Sequence, residues 1–555
     1  MLNELVASSI AEALKIPHLI ARLLVSRGFK TIPAVHTLLY ASNRYEIDPF
    51  KMLGMDKAVE WILRVKENQE TVFIFGDYDL DGLTSVSLLS RALTRIGIKN
   101  EWRLPSRFGS GYGLSFAAID EMAEAKARNI LTVDTGITAN AEIAYAKTKG
   151  IRTMVIDHHQ PSGEGLPDAD VLLDPHQEAD TYPNSDLCGV GVAYKFICAL
   201  YKTLRLEAPK HFLELVALGT LADLVPMTLE NRYFTHVGLS QMWDSSCVGI
   251  RELAKKQLVY KQFVGAQSVM FKIAPLLNAP GRMEKPDPAL EMLLCDDKTK
   301  SLELIENLNI WNFKRKTIEM EVSKAVFQRV QELYPSGLPE VLIVDGFNWH
   351  VGVIGIVAAK LTQEFKRPAA VLSVQEDGIA CSSARAVPGF NWHKALFDCR
   401  DLFVRWGGHE TAAGFSIEEK NIEIFRNKMN LLASTFKTEA NEKDKVEITE
   451  VALSEIEDST LLWLSKLEPL IGSFPVPVFR AKNCLVKHLR ELRGGHLYLE
   501  IEQNGSQKFA AIGFSMADKK SFILAAHYRV TVDFEITWNF FNGKHSVQLQ
   551  IKNIL

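Results

Sequence analysis

The sequence predicts an α/β protein in which two α/β domains, joined by long helices, precede a small all-β barrel. Three patterns indicate this order. Short apolar runs alternate with helix-like sequence between Thr71 and Leu173, charged periodic sequence fills residues 286–335, and strand-like runs dominate after residue 450. Strands that alternate with helices are typical of a parallel, doubly wound sheet. At 555 residues the chain is too long for one core, so several domains are expected.

Local patterns set the expected boundaries. Residues such as Leu19, Leu23 and Leu24 stand at helical spacing near the start of the chain, and the stretch KTEANEKDKVE has no apolar periodicity. Asn504-Gly505 and Asn542-Gly543 lie between strand-like runs and predict hairpin turns. The expected segments are N-terminal helices (1–45), a first α/β domain (46–285), connecting long helices (286–335), a second α/β domain (336–436), a linker (437–449) and an OB-fold-like barrel (450–555).

Composition indicates an ordinary globular protein. Hydrophobic residues make up 47% of the chain and charged residues 23%, and the net charge of -4 gives no overall basicity. A nucleic-acid partner is still compatible with this total, because a local basic groove matters more. Seven scattered cysteines without a CxxC pair predict reduced thiols. The start of the chain lacks the pattern of a signal peptide, and no apolar run is long enough to cross a bilayer, so we expect a cytoplasmic protein without membrane association.

Acidic residues and histidines follow the predicted strands of the first α/β domain. The strands TVFIF, ILTV and TMVI each end at such residues, and the helix-like segment LELVALGTLAD closes on another. The carboxyl ends of parallel strands meet at one edge of a sheet, where ligands bind. The residues expected to converge there are Asp77, Asp79, Asp81, Asp134, Asp157, His158, His159 and Asp223.

Such a cluster predicts a site for two divalent cations. Carboxylates a few ångströms apart repel one another unless cations lie between them. Oxygen ligands with an imidazole suit Mn²⁺ or Mg²⁺, and two such ions can stabilise both oxygens of an in-line displacement at phosphorus. A single Asp at a strand end is more often a turn former or a helix cap. The joint placement of the set favours the metal site.

The motifs resemble those of a known superfamily. In chain order, GDYDLDG, VDTG, IDHH and TLADLVP resemble the motifs of the DHH phosphoesterase superfamily. The likeness continues through IAPLLNAPGR, WHVGVIGIVAAKL, SSARAVPGF and GGHETAAGF. The ordered set is similar to that of superfamily members that digest single-stranded DNA. The resemblance implies a DHH domain, a DHH-associated domain and a terminal barrel.

The resemblance also implies a role for each residue of the cluster. Asp77 and Asp79 would bind one cation, Asp81, His158 and Asp223 the other, and Asp134 would bridge them. His159 would face the scissile phosphate as a charge stabiliser or proton donor. Asp157 would orient His158 by hydrogen bonding. The division of Asp77 and Asp81 between ligand and supporting roles stays open.

Two further sets of residues are expected to bind the substrate. By resemblance, a terminal 5′ phosphate or nearby backbone would be held by Arg282, Ser383, Arg385, Gly407, Gly408 and His409. Taken alone, Gly407-Gly408-His409 would be a tight turn with a solvent-facing histidine. The barrel region carries five basic residues within a short span, opposed along that span only by Glu491, and such a surface can follow a nucleic-acid backbone. They are Arg480, Lys482, Lys487, Arg490 and Arg493.

The resemblance implies a processive 5′→3′ exonuclease that hydrolyses single-stranded DNA to 5′-mononucleotides in repair and recombination. It would act as a monomer, with a single-strand-binding protein as a partner implied by family likeness alone. Two alternatives stay open: a DHH phosphoesterase acting on nanoRNA or other small nucleotides, and a strand-binding scaffold without catalysis. Such small-substrate enzymes generally lack the long helical connection and the terminal barrel, and a scaffold has no use for so much adjacent negative charge.

Overall fold

The computed structural model describes residues 2–40, 43–105, 113–161, 165–258, 260–261, 264–283, 285–433, 448–472, 474–541 and 544–555. Most of the predicted linker 437–449, and the predicted turn at Asn542-Gly543, lie outside these ranges. Among the described residues, no helix combines the length and the apolar character that crossing a bilayer requires.

Three short helices open the chain, as their apolar spacing predicts. They are α1 (Leu2–Leu14), α2 (His18–Ser26) and α3 (Ile32–Leu39). The most deeply buried of the three is α2, in which Leu19, Leu23 and Leu24 are almost fully enclosed. The hydroxyl oxygen of Thr31 accepts a hydrogen bond from the backbone N–H of Ala34 and so caps α3.

The first α/β domain is built on a five-stranded parallel sheet, as predicted. Its strands are β1 (Val72–Gly76), β2 (Asn100–Arg103), β3 (Asn129–Val133), β4 (Arg152–Ile156) and β5 (Val171–Leu173). Their order in space is β2-β1-β3-β4-β5. The edge strand β2 was missed in the sequence, because its residues are only half-buried and carry no apolar run. The chain adds β2 on one side of β1 and the later strands on the other side, so the strand order reverses between β1 and β3. A ligand crevice is expected at such a point.

Helices cover both faces of this sheet. They are α4 (Met55–Glu67), α5 (Leu80–Arg95), α6 (Phe116–Glu124), α7 (Asn140–Thr148), α8 (Gly189–Thr203), α9 (Leu213–Ala222), α10 (Leu229–Met242), α11 (Val248–Leu258), α12 (Ala266–Ser268), α13 (Ala274–Leu277) and α14 (Ala279–Met283). Ile74, Leu131 and Ile156 point to one face, where they share a core with α4, α5 and α8. Phe73, Phe75 and neighbouring residues point to the other face, against α6 and α7.

Two helices lead to the second α/β domain, α15 (Asp287–Leu294) and the 36-residue α16 (Lys298–Leu333). The elements of that domain are β6 (Leu342–Phe347), α17 (Val351–Phe365), β7 (Ala369–Val374), β8 (Ile379–Arg385), α18 (Trp392–Phe397), β9 (Phe403–Gly408), β10 (Ala412–Glu418) and α19 (Ile422–Ala433). Its sheet has the order β6-β7-β8-β10-β9, in which only β6 and β7 pair in parallel and β9 forms an edge.

The C-terminal region forms the predicted closed barrel. Its elements are β11 (Ile448–Glu450), α20 (Asp458–Lys466), β12 (Val478–Leu492), β13 (His496–Glu502), β14 (Phe509–Gly513), α21 (Lys519–Ala525), β15 (Arg529–Phe541) and β16 (Lys544–Ile554). Strands β12, β13, β14, β16 and β15 pair in that order, and β15 pairs back to β12, which gives the five-stranded closure of an OB-fold. Asn504 and Gly505 have φ values of 49° and 76°, as the turn between β13 and β14 requires.

The N-terminal helices share one hydrophobic core with the barrel. Leu19, Leu23 and Leu24 of α2 belong to the same buried cluster as Phe479 and Phe534 of the barrel strands. Two arginines add polar contacts: Nη2 of Arg22 donates to the carbonyl of Glu450 at 2.8 Å, and Nη1 of Arg27 donates to that of Pro475 at 2.7 Å. The two ends of the chain therefore pack as one unit. Helical spacing alone gives no sign of this partner.

This shared core predicts that Leu23→Ala destabilises the barrel. Leu23 is fully buried, so truncation removes buried apolar contacts and should lower the free energy of unfolding by about 2–5 kcal/mol. Hydrogen exchange of the amides in β13 measures the effect within the barrel itself. The matched control is Leu5→Ala, because Leu5 is 70% exposed and should change stability by no more than about 0.5 kcal/mol. Equal protection of β13 in both variants would contradict the shared core.

Candidate metal centre

The acidic residues that the sequence predicts to converge lie together at the carboxyl ends of the strands of the first sheet. Asp77 directly follows β1, Asp134 follows β3, and Asp157 follows β4. Asp79 begins α5, where Oδ1 accepts hydrogen bonds from the backbone N–H groups of Asp81 and Gly82 at 3.0 and 3.2 Å. Asp223 comes directly after α9. Residues separated by about 150 positions in sequence therefore share one edge of the sheet, at the point where the strand order reverses.

Possible ligand atoms lie close together in three overlapping groups. Within each group the ligand atoms are all within 4.8 Å of one another. Asp134 belongs to two of the groups and His158 to two, so the groups form one continuous cluster. The groups are Asp77, Asp79 and Asp134; Asp81, His158 and Asp223; and Asp134, Asp157, His158 and His159.

His158 lies at the middle of the cluster. Its Nε2 atom is 3.1 Å from Oδ1 of Asp134 and 3.8 Å from one carboxylate oxygen each of Asp81 and Asp223. Burial, followed by the charge of His159, lowers the pKa of His158 to about 4. The imidazole is therefore neutral near pH 7, and a neutral imidazole is the form that binds a metal ion.

Asp81 and Asp134 show the electrostatic cost of the cluster. Burial, with the charges of Asp223 and Asp79, raises the pKa of Asp81 to about 8. Burial and the neighbouring carboxylates also raise the pKa of Asp134 well above its usual value. Divalent cations would remove this cost by compensating the charge. Oxygen atoms with one neutral imidazole are a donor set that fits Mn²⁺ or Mg²⁺.

The backbone holds these carboxylates in place. Oδ2 of Asp81 accepts a hydrogen bond from the N–H of Gly189 at 2.6 Å, and Oδ1 accepts one from Val190 at 3.0 Å. Both amides belong to the first turn of α8, where unpaired N–H groups and the helix dipole favour a negative charge. Asp134 has a φ of 59°, a left-handed conformation that Asp tolerates better than most residues.

Two glycines provide the space for the carboxylates. A Cβ atom at Gly189 would lie 2.8 Å from Cβ of Asp134 and 2.9 Å from its Oδ1. A Cβ atom at Gly219 would lie 2.5 Å from Oδ1 of Asp81. Neither residue is among those predicted from the sequence. Their signal was present in the motifs CGVGVAYK and ALGTLAD, where a glycine interrupts otherwise good helix-forming sequence.

Asp157 orients the ring of His159, and not that of His158 as predicted. Its Oδ1 atom lies 2.7 Å from Nδ1 of His159 and accepts the backbone N–H of His158, and its Oδ2 accepts the N–H of Ile137. The predicted partner was wrong, because the carboxylate meets the imidazole two positions along the chain. Burial alone raises the pKa of Asp157, but the charge and hydrogen bond of His159 lower it to about 2. Burial lowers the pKa of His159, but Asp157 raises it to about 10.

The second α/β domain reaches this centre through His409. The imidazole rings of His409 and His159 are stacked, with centroids 6.0 Å apart and planes inclined by 18°. The preceding Gly408 has a φ of 131°, and a Cβ atom there would lie 2.5 Å from Cα of Ala413 on the neighbouring strand. A Cβ atom at Gly407 would meet nothing within 4 Å, so space is open beside the backbone at this position.

The other residues predicted to hold phosphate lie around α17. Nη1 of Arg385 donates to Oγ of Ser383 at 3.1 Å. A Cβ atom at Gly355 of α17 would lie 2.9 Å from that Oγ and 3.2 Å from Nη2 of Arg385. Arg282 approaches the start of the same helix, where its Nη1 donates to the carbonyl of Gly352 at 3.4 Å. The structure thus gathers Arg282, Ser383 and Arg385 along one helix.

Three of the five basic residues predicted in the barrel are already paired with acids. Arg480 makes a two-point contact with Asp533 at 2.6 and 2.8 Å, Lys482 pairs with Glu450, and Lys487 pairs with Glu502 at 2.8 Å. Glu491 is the only acid within the span itself, and the acids that pair with these three residues come from neighbouring strands. Glu491 itself pairs with Lys520. Within the described part of the chain, Arg490 and Arg493 are exposed and make no ion pair.

The fold and the acidic centre define a protein of the DHH class. The model of the DHH family, N-terminal domain, matches residues 71–220, that of the DHHA1 domain matches residues 338–435, and that of the RecJ OB domain matches residues 449–553.

The chain belongs to the RecJ family. It is 34% identical over 552 residues to the single-stranded-DNA-specific exonuclease RecJ of Bacillus subtilis, covering 98% of this chain and 69% of that protein. It is 32% identical over 561 residues to the RecJ protein of Salmonella typhimurium, covering 97% and 96% of the two chains.

Two crystal structures have the same fold. RecJ from Thermus thermophilus in complex with Mn²⁺ matches with a TM-score of 0.78 and 27% identity, covering 99% of this chain and 77% of that one. An exonuclease RecJ bound to manganese matches with a TM-score of 0.59 and 30% identity, covering 73% and 98%.

The position of Gly189 predicts that Gly189→Ala weakens metal binding. The added methyl group would displace the carboxylate of Asp134, so the affinity for Mn²⁺ should fall by roughly 10–100-fold, the usual effect of disturbing groups that position a ligand. Calorimetric titration with Mn²⁺ measures the change. Gly191→Ala on the same helix is the control, because the nearest atoms to a Cβ there belong to Leu187, at 3.2 Å, and Cys188, and none belongs to an acidic residue. Unchanged affinity in Gly189→Ala, with both variants folded, would remove Asp134 from the site.

Proposed function

We propose that this protein is a metal-dependent exonuclease that hydrolyses single-stranded DNA from its 5′ end and releases 5′-mononucleotides. The observation that carries the proposal is the cluster around His158 and Asp134, which joins six further acidic or imidazole groups at one edge of the sheet. The family to which the chain belongs contains exonucleases specific for single-stranded DNA, and two RecJ structures with this fold contain manganese. A role in DNA repair and recombination is part of the same proposal.

The proposed ligand set divides between two cations. Asp77 and Asp79 would hold one ion, Asp81, His158 and Asp223 the other, and Asp134 would contact both. This division is supported by Asp134 and His158, because each of them belongs to two of the three groups of closely spaced ligand atoms. When bound, such a pair of ions would act as Lewis acids that stabilise the charge on the attacking and leaving oxygens at phosphorus.

His159 would act on the phosphate. It belongs to the cluster, and its hydrogen bond with Asp157 fixes its orientation. The charge and the hydrogen bond of Asp157 raise the pKa of His159 and so favour the protonated imidazole, which can donate a hydrogen bond to a phosphate oxygen or a proton to the leaving oxygen. Asp157 keeps its negative charge in this arrangement and stabilises the imidazolium.

The second α/β domain would hold the 5′ end. Arg282, Ser383 and Arg385 lie along α17, and arginine side chains match phosphate oxygens with two parallel N–H groups. Gly407 would let the strand approach the backbone closely, and Gly408 allows the tight backbone that places His409, which would close the site against His159. A groove between the two domains that admits one strand and not a duplex would explain strand selectivity, which attraction to phosphate charge cannot provide.

The barrel would guide the strand farther from the active site. Arg490 and Arg493 are the candidates for contacts with the phosphate backbone, since Arg480, Lys482 and Lys487 are engaged by acids. We further propose that the protein acts as a monomer in the cytoplasm and that a single-strand-binding protein is a partner. The cytoplasmic location is supported by seven cysteines that form no disulfide.

A phosphoesterase for nanoRNA or other small nucleotides is the alternative. The 36-residue helix α16 and the closed barrel favour a longer substrate, because a dinucleotide needs neither. Incubation with Mn²⁺ and equal concentrations of a 5′-labelled single strand, a 3′-labelled single strand, a duplex and a dinucleotide tests the proposal. The 5′ label should appear at once as a mononucleotide, the 3′ label only in shortening strands, and the duplex should persist. Preference for the dinucleotide would support the alternative, and early release of the 3′ label would reverse the polarity.

Asp134→Asn should abolish hydrolysis and leave strand binding almost unchanged. Asparagine keeps the shape of the side chain and tolerates the left-handed backbone at this position, so the substitution removes chiefly the charge that would hold both cations. Hydrolysis is measured by release of the 5′ label, and binding by fluorescence anisotropy, with the dissociation constant staying within about threefold because contacts with backbone phosphates dominate affinity.

The control for this variant is Asp168→Asn. The side chain of Asp168 is 77% exposed and pairs with Lys147 at the surface, so its charge should not matter for hydrolysis. Turnover by Asp134→Asn at the rate of this control would place the active centre elsewhere.

A further inference from the structure

A line of aromatic rings leads from the metal centre onto the surface of the second α/β domain. It begins with the stacked rings of His159 and His409. The backbone N–H of Trp392 donates to the carbonyl of Glu410 at 2.9 Å, which brings His393 beside the segment that carries His409. The ring centroid of His393 lies 5.3 Å from that of Trp406, and Trp406 lies 6.2 Å from Phe397. We call His159, His409, His393, Trp406 and Phe397 the ring track.

The ring track is accessible along most of its length. The side chain of Phe397 is 49% exposed, and His393 and His409 are exposed as well. Trp406 lies on β9, an edge strand of the second sheet, where its ring is half-buried against the core of the domain. The exposed rings of His393 and Phe397 are not needed to pack α18 on the sheet, because Trp392, Ala395 and Leu396 already form the buried face of α18.

The charges beside the ring track balance, so the rings themselves are its main binding feature. Lys394, Arg400 and Arg405 are exposed, and so are Asp398, Asp401 and Glu410. The guanidinium of Arg400 lies over the ring of Phe397 at 4.4 Å, where its planar group extends the stacking surface. Flat, exposed rings without excess positive charge suit nucleobases, which stack on aromatic side chains regardless of sequence.

We propose that the ring track is a base-stacking subsite for the nucleotides next to the scissile phosphate. The inference rests on the proposed function, because it takes the strand to be cut beside His159. The link to the proposed active site selects this occupant. The ring track starts at His159, the residue proposed to contact the phosphate, and continues through His409 to rings of the second α/β domain. Stacking would hold the terminal bases in line while the backbone is positioned at the cluster.

A cycle that combines a side-chain change with removal of bases tests the subsite. Wild-type protein and Phe397→Ala are each assayed on a normal single strand and on one with abasic residues at its terminal nucleotides. Loss of one stacking contact should lower kcat/KM roughly tenfold, whether the base or the ring is removed. Removing both should cost little more than removing either one. If the two changes together lower kcat/KM by the product of their separate effects, the ring and the bases do not touch, and the proposal is overturned.

Further variants keep the test independent of folding. Trp406→Phe retains a ring, so abasic residues should still lower its kcat/KM as they do for the wild-type protein. In Trp406→Leu this effect of the missing bases should be lost. Phe522→Ala is the matched control, because Phe522 is a 44% exposed ring near Lys519 in the barrel, and it should show the full wild-type effect of the missing bases. A loss of that effect in Phe522→Ala, or its persistence in Trp406→Leu, would contradict the subsite.

The same cycle can be read out by binding in the Asp134→Asn background, where no hydrolysis is needed. If wild-type protein cuts the strand and the losses multiply in both readouts, only the ring track is refuted. If wild-type protein cuts no single strand while binding still shows the coupled losses, the proposed function fails and the subsite stands.

Discussion

Repulsion among carboxylates at the end of the first sheet is the constraint on which the rest of the structure depends. Asp81 and Asp134 are buried beside other acids, and burial with that proximity raises the pKa of both groups. The fold opposes the repulsion with the first amides of α8, which bind both oxygens of Asp81, and with space left by Gly189 and Gly219. The backbone supplies partial positive charge, and divalent cations would supply the remainder.

His159 connects this centre to the second domain. Asp157 holds its ring from one side, and His409 stacks on it from the other. The position of His409 depends in turn on Gly408, whose positive φ and close approach to Ala413 leave no room for a side chain. His159, the residue proposed to face the substrate, is thus fixed by contacts from two separate sheets. The proposed chemistry therefore depends on how the two domains sit against each other.

The barrel illustrates how tertiary pairing changes the meaning of a charged segment. Arg480, Lys482 and Lys487 resemble a continuous basic surface in the sequence, but acids on neighbouring strands pair with all three. Surface ion pairs of this kind add little stability, yet they reduce the positive charge that a nucleic acid would meet. The core of the barrel shows a related effect, since it is completed by Leu19, Leu23 and Leu24 from the opposite end of the chain.

The sequence by itself determined the class of fold, the strands that carry Asp77, Asp134 and Asp157, and the convergence of those residues, because the periods of apolar residues and the ends of parallel strands are local properties. The resemblance of the motifs added the expected division of the ligands. Only the tertiary structure decided which partner Asp157 takes, which basic residues in β12 are neutralised, and where the N-terminal helices pack. The physical reason is the same in each case: a hydrogen bond, an ion pair or a shared core depends on distances between residues far apart in the chain, and spacing along the sequence does not fix those distances.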